Sequence, residues 1–294
     1  MSAQQHRIPA ELVVKQVKVL LVGAGGTGSR ILERLVCLHK ALLALGHPAG
    51  LAVTVIDPDK VSPSNIGRQL FYPGDVGHYK ADVLVNRANM QLGNTRWESQ
   101  PHKLGTASSG LDGFSLVIGA VDNRSARLAI LRCLENCAGG VRYWLDCGNR
   151  AEDGQVVLGQ VVSRKRATED KLRLPHVGEF YPELVDPAAE DPDDGPSCSL
   201  AEALEKQSLF INPAVADFAM VLLWNLFTKG QIDTHGAFIN LQRMVVSPLK
   251  VDPEVWARFG VIRDGRRRKL VRPSVIAKHA LKNAANDSKK TIAA

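Results

Sequence analysis

Val17-Lys18-Val19-Leu20-Leu21-Val22-Gly23-Ala24-Gly25-Gly26-Thr27-Gly28-Ser29 runs from an apolar segment directly into glycines, and Arg30-Ile31-Leu32-Glu33-Arg34-Leu35-Val36 follows with helical spacing. This reads as strand, glycine turn, helix. The spacing Gly23-x-Gly25-x-x-Gly28 lets backbone come close to a phosphate, and a helix start supplies N–H donors and partial positive charge. Taken alone the motif does not say which nucleotide binds, and a tight turn with no ligand would read the same way.

Working outward, Leu51 to Ile56 reads as a second buried strand ending at Asp57, where a Rossmann dinucleotide fold places its ribose-binding acid. The acid comes 29 residues after Gly28, late for that fingerprint, and a longer first crossover from Leu38 to Gly50 accounts for the delay. Behind it, Asp57-Pro58-Asp59-Lys60-Val61-Ser62-Pro63-Ser64-Asn65-Ile66-Gly67-Arg68-Gln69 and Gly77-His78-Tyr79-Lys80 have neither helical nor strand period. Turn caps or surface ion pairs explain any one of these polar residues. They do not explain so many beside a glycine turn.

Ala81 to Met90 reads as an amphipathic helix, and Ser115 to Ala120 as a strand ending at Val121-Asp122-Asn123-Arg124. Tyr143 to Leu145 makes another strand, closed by Asp146-Cys147-Gly148-Asn149. Strands with acidic, amide or glycine ends, separated by helices, predict a parallel α/β sheet with its site at the carboxyl edge. After Arg150 the pattern changes. Gly154 to Ser163 alternates like a half-exposed strand, and Arg164 to Pro196 is a long, polar, proline-rich segment with an acidic end, of the kind that is usually functional or mobile. Ser199 to Gln207 reads as helix, Pro213 to Thr228 as a long buried helix and Ala237 to Val246 as strands, with no linker or repeat.

Composition narrows the class. Hydrophobic residues make up 45% of the chain, ordinary for a protein with a substantial core. No apolar segment with a cleavage site opens the sequence, so a secretory signal is not expected. The most hydrophobic window, Leu209 to Phe227, carries Asn212, Pro213 and Asp217, which favours a buried helix over a membrane span. Five cysteines without a C-x-x-C pair argue against a disulfide framework, and a reducing cytoplasm is the expected location. Cys37, Cys133, Cys137 and Cys147 are expected to pack in the core. The net charge of +7 resides at the end of the chain: residues 261–294 hold ten Lys and Arg against two Asp, leaving the rest near −1. Nucleic acid is therefore expected to contact only the basic tail, if anything.

In order and roughly in spacing, Gly23-x-Gly25-Gly26-x-Gly28, Asp57-x-Asp59-x-Val61-x-x-Ser64-Asn65-x-x-Arg68-Gln69, Gly77-x-x-Lys80 and Asp122-Asn123 resemble the adenylation core of the ThiF/MoeB/E1 superfamily. The resemblance is close over residues 17–150 and looser over 151–248, and the short form with Cys198 is similar to ThiF-family members of plasmid PRTRC systems. It implies a Rossmann-like, mostly parallel sheet continued by antiparallel strands, with helices on both faces. One adenylation domain would span residues 1–262, its nucleotide-binding part about 17–150 and its modifier-binding part about 151–262, with 263–294 a flexible basic tail.

The implied activity is ATP-dependent activation of the C-terminal carboxylate of a ubiquitin-like, β-grasp protein, with Mg²⁺ alongside ATP. Making an acyl-adenylate requires fixed positive groups and donors where charge grows on phosphate. The resemblance assigns Gly23, Gly25, Gly26 and Gly28 to the phosphate turn and Asp57 to the ribose, with Asp59 close by. It places Asn65, Arg68, Gln69 and Lys80 at the triphosphate, and Asp122, followed by Asn123, at the Mg²⁺. Cys198 stands where relatives place a nucleophile that takes the modifier as a thioester; the nearby Asp191, Asp193 and Asp194 would oppose its thiolate. Many relatives hold zinc with two C-x-x-C pairs that this chain lacks, and Cys133-x-x-x-Cys137 is no substitute, so no zinc is expected. A homodimer is also implied, and Arg7 is the one candidate for an arginine reaching a partner's ATP site. Competing readings are a tRNA-modifying dehydratase of the same superfamily, an NAD-dependent dehydrogenase, and a degenerate scaffold without catalysis.

Overall fold

Parallel pairing of the two apolar runs read as strands sets the frame. In the computed structural model, which describes residues 4–94, 96–105, 111–137, 141–161, 173–189 and 208–261, β2 (Val17–Val22) lies beside β3 (Leu51–Ile56) in parallel register, with Val17 opposite Leu51 and Val22 opposite Ile56. Contacts divide the chain into Met1–Ile262 and Arg263–Ala294, and the description concerns the first. The expected helix Ser199 to Gln207, both ends of the proline-rich segment, Cys198 and the basic tail lie outside the described residues.

The main sheet has the order β10-β9-β7-β6-β5-β2-β3-β4. β4 (Glu98–Gln100), β3, β2, β5 (Leu116–Gly119) and β6 (Tyr143–Asn149) are parallel, so their carboxyl ends share one edge. β7 (Asp153–Gly159), β9 (Thr234–Asn240) and β10 (Val245–Lys250) continue it antiparallel. The expected α/β sheet with an antiparallel extension is the one observed. Chain order runs outward from β2 through β3 to β4, then returns to β5 on the other side. The strand order therefore switches between β2 and β5, where an open α/β sheet leaves a crevice at its carboxyl edge.

Gly154 and Gly159 sit on opposite faces of β7 and show that both faces are covered. A Cβ at Gly154 would strike Val215 of α6 (Ile211–Lys229), and one at Gly159 would strike His176, which precedes α5 (Val177–Phe180). On the first face α6 packs against α2 (Gly26–Ala44), and the exposed pair Arg34–Asp217 at 2.8 Å ties the two helices. α6 is long and apolar enough to cross a membrane by length and composition, yet Ile211, Val215, Ala216, Ala219, Leu223 and Leu226 are all fully buried against the protein. It ends at Gly230, whose φ of 68° suits a residue without Cβ. α3 (Lys80–Leu92) packs beside α2, and α4 (Arg124–Asn136) faces Gly119 through Ile130.

Several expectations need correction. The long crossover after Leu38 is largely two more turns of α2, which ends at Ala44 rather than Val36. β6 does not close at Leu145 but runs to Asn149, because Asp146 is neutralised inside the sheet by Arg127 at 2.9 Å. Cys37 is exposed, whereas Cys133, Cys137 and Cys147 are buried as expected. The described part of the proline-rich segment, 173–189, is packed: Val177 and Phe180 of α5 are buried, and short 3₁₀ turns follow at Pro182–Val185 and Pro187–Ala189. Ahead of β2, β1 (His6–Arg7) pairs antiparallel with β8 (Gln231–Ile232), and α1 (Glu11–Val14) follows it. Arg7 thus lies opposite Gln231 at the far end of α6. α7 (Pro253–Arg258) ends the described chain, capped by the Asp252 carboxylate.

Candidate functional site

The glycines after β2 are glycines for different reasons. Gly23 has a φ of 96°, and a Cβ on it would sit 2.5 Å from the Ala120 carbonyl oxygen. A Cβ on Gly28 would sit 2.0 Å from the Gly23 carbonyl oxygen, so this residue sets how closely α2 packs on β2. Gly26 faces the Asn212 side chain, which a Cβ would meet at 2.7 Å. Nothing lies within 4 Å of a Cβ on Gly25. Gly25 is also the N-cap residue just before α2, with no side chain capping the helix. Open space beside an uncapped helix start is what a phosphate needs.

Asp57 fastens the next loop to this turn. Its Oδ2 accepts from the Ala24 N–H at 2.6 Å and its Oδ1 from the Asp59 N–H at 2.8 Å, leaving a further lone pair on each oxygen. Burial pushes the Asp57 carboxyl above its usual range; the Ala24 and Asp59 donors and the Lys80 ammonium pull it back. The turn-cap role weighed for Asp57 is therefore real, and it holds the acid beside the glycines.

Lys80 opens α3 with its side chain 10% exposed, and its Nζ lies 3.0 Å from Asp59 Oδ2, whose side chain is 63% exposed. A cation at a helix N-terminus is opposed by the helix dipole. The partner that offsets this is mostly in water, so the ammonium can transfer to an incoming anion at small cost. Between the two, the 3₁₀ turn Pro63–Asn65 is closed by the Ser62 N–H donating to Asn65 Oδ1 at 3.0 Å. Arg68 is half-buried, its Nε donating to the Ser64 carbonyl at 3.3 Å. Burial lowers its pKa, and the charge of Asp122 opposes that. Gln69 is buried, and its Oε1 has no partner among the described residues, an orphan acceptor beside this group.

Asp122 is exposed at the start of α4, its Oδ1 accepting from Asn123 Nδ2 at 3.1 Å. Asn123 caps α4 by accepting from the Ala126 N–H at 2.8 Å. Its evident work is to hold Asp122 and the helix start.

Two residues were not among those singled out from sequence. The Thr27 hydroxyl donates to Asn212 Oδ1 at 2.8 Å and lies 3.2 Å from Asn149 Oδ1, while Asn149 Nδ2 donates to Asn212 Oδ1 at 3.3 Å. This network ties the first turn of α6 and the end of β6 to the glycine turn. Its only trace in the sequence is an amide at a strand end and another interrupting an apolar window. A cavity of about 480 Å³ lies away from this edge, walled by Val156, Phe218, Val221, Leu222 and Ala237. None of the crevice residues lines it.

Comparison with known proteins agrees with this geometry: residues 7–240 match the ThiF family along their length. The chain belongs to the ThiF family. Among curated relatives, the sulfur carrier protein adenylyltransferase of Thermus thermophilus is 34% identical over 122 residues, covering 40% of this chain and 41% of that protein. The adenylyltransferase and sulfurtransferase UBA4 of Candida albicans is 27% identical over 228 residues, covering 76% of this chain and 45% of that protein. The NEDD8-activating enzyme E1 catalytic subunit of Dictyostelium discoideum is 36% identical over 123 residues, 40% of this chain and 25% of that protein. This ThiF-family chain thus matches less than half the length of each. A solved structure described as SeMet PaaA, 16% identical, superposes with a TM-score of 0.53 over 80% of this chain and 64% of its own, which shows a shared fold.

Proposed function

We propose that this ThiF-family protein binds ATP at the carboxyl edge between β2 and β5 and adenylates the C-terminal carboxylate of a ubiquitin-like protein. The observation that carries the reading is the open space at Gly25 beside an uncapped helix start, with Asp57 fastened to the adjacent Ala24 N–H and acted on by the Lys80 ammonium, which pairs with Asp59. The carboxylate oxygen attacks the α-phosphorus, the bond to the bridging oxygen breaks, and pyrophosphate departs with the electron pair. The N–H groups at the start of α2 receive a phosphate, and Arg68 and Lys80 neutralise the triphosphate as charge moves toward the leaving group. Asp57, held against Ala24, is placed to accept from ribose hydroxyls, and the orphan Gln69 Oε1 gains a donor. Asp122 fits Mg²⁺, a hard cation bound through one or two carboxylates together with phosphate oxygens, which supplies charge neutralisation there. Arg68 and Lys80 have no equivalent task in hydride transfer, so an NAD-dependent dehydrogenase fits less well.

Isotope exchange between ATP and pyrophosphate, stimulated by a candidate modifier, tests this. The wild type should exchange, Asp122→Ala should not, and Lys80→Met should lose about 10²–10³-fold in kcat. Equal activity in the wild type and Asp122→Ala would sink the reading. A thioester on Cys198 extends the proposal: a reductant-sensitive conjugate should form on ATP addition and vanish in Cys198→Ala.

A further inference from the structure

Two buried charges, one on α4 and one in β6, take no part in the site as described. Arg127 is the fourth residue of α4, and its Nε donates to Asp146 Oδ1 at 2.9 Å, with side-chain exposures of 6% and 1%. A second nitrogen of the same guanidinium, NH2, donates to the Val121 carbonyl at 2.9 Å. As packing, this is a poor choice. A cation in the first turns of a helix works against the helix dipole, and both charges lose their hydration. Leucine or methionine would fill the same space without either penalty.

The place explains the arrangement. Asp146 lies opposite Gly119 in the parallel ladder, beside the last residue of β5, where the chain leaves the sheet as Ala120-Val121-Asp122. A rigid, forked cation anchored in the sheet therefore holds the carbonyl one peptide before Asp122. On the other side, Asn123 holds the Asp122 carboxylate and caps α4.

We propose that Arg127, locked to Asp146, is a positioning residue that fixes the Val121 carbonyl and so aims the Asp122 carboxylate into the crevice. The inference rests on the adenylation reading for its effect on rate. Arg127 touches no reactant. It removes the freedom of the peptide that carries Asp122, and a displacement of about 1 Å at a reacting centre can cost about 10²-fold in rate.

The test uses the full chain with two variants. Arg127→Met/Asp146→Leu removes both charges at similar volume, and Arg127→Lys keeps the charge but lacks the fork that reaches two acceptors. In ATP–pyrophosphate exchange, both should lose about 10²-fold in kcat while the KM for ATP stays within about threefold, the pattern of a group acting in the transition state only. Amide hydrogen exchange, which needs no activity, should show the Ala126 N–H losing about tenfold of its protection, with β2 and β3 unchanged. Wild-type kcat and Ala126 protection in either folded variant would overturn the proposal and leave the adenylation reading intact. A wild type without exchange activity would overturn that reading instead, and the Ala126 protection would still decide whether Arg127 fixes the turn.

Discussion

Gly25 and Gly26 are adjacent and look interchangeable in the sequence, yet each is required by a different neighbour. A methyl group at Gly26 meets the Asn212 side chain, which Thr27 and Asn149 hold in place. Gly26→Ala should therefore cost about 1–3 kcal/mol of stability, the usual range for overpacking. Gly25→Ala meets no protein atom, so it should cost less stability and remove most of the stabilisation that ATP confers. Melting curves of both variants with and without ATP check the pair; equal behaviour would contradict the division of roles. His176 gives a pH dependence. Burial lowers its pKa from 6.5 to about 4, with Glu179 opposing the shift and Arg173 adding to it. Between those values the unfolded chain takes up the proton and the folded one does not, so stability falls as pH drops below about 6.5 and is unaffected above it. From pH 7 to 5 the loss from this group should be about 2 kcal/mol, and His176→Phe should flatten that slope in denaturant titrations.

Among the elements, α6 carries the most. Leu223 is fully buried near the middle of its length, and Leu223→Ala should destabilise the protein by about 2–5 kcal/mol in urea unfolding, the cost of a core cavity. A shift below 1 kcal/mol would mean that α6 is loosely packed. The elements most legible in sequence were those whose pattern is local. Val17–Val22 and Leu51–Ile56 are runs that are apolar except at Lys18 and Thr54 and bounded by polar or glycine residues, and both strands have those limits. Limits failed where a distant partner altered the environment. An aspartate ordinarily ends a buried strand, but Arg127 reaches Asp146 from a helix and β6 continues. The helix after Gly28 outlasts Val36, and its added turns bury Leu38 and Leu42 on an element that packs against α6.

Across the whole molecule, residues distant in the chain close the structure around the sheet. His6, in β1, shares a 2.7 Å hydrogen bond with the buried Tyr143 hydroxyl at the start of β6. Burial pushes the Tyr143 phenol well above its usual range, so the hydroxyl stays neutral and keeps its proton. His6→Ala leaves that hydroxyl without this partner and should cost about 1–3 kcal/mol, measured as a fall in the unfolding midpoint. The double variant with Tyr143→Phe should recover part of the loss. By itself, the sequence determined the strand–glycine turn–helix start and the parallel sheet, because each of these rests on backbone geometry and local spacing. Only the tertiary structure decided which glycine borders open space and which faces Asn212, that Asn149 and Asn212 brace the glycine turn, and that Asp146 serves Arg127. Those choices depend on contacts between residues up to 185 positions apart, and no local period or propensity records which distant side chain will fill a given space.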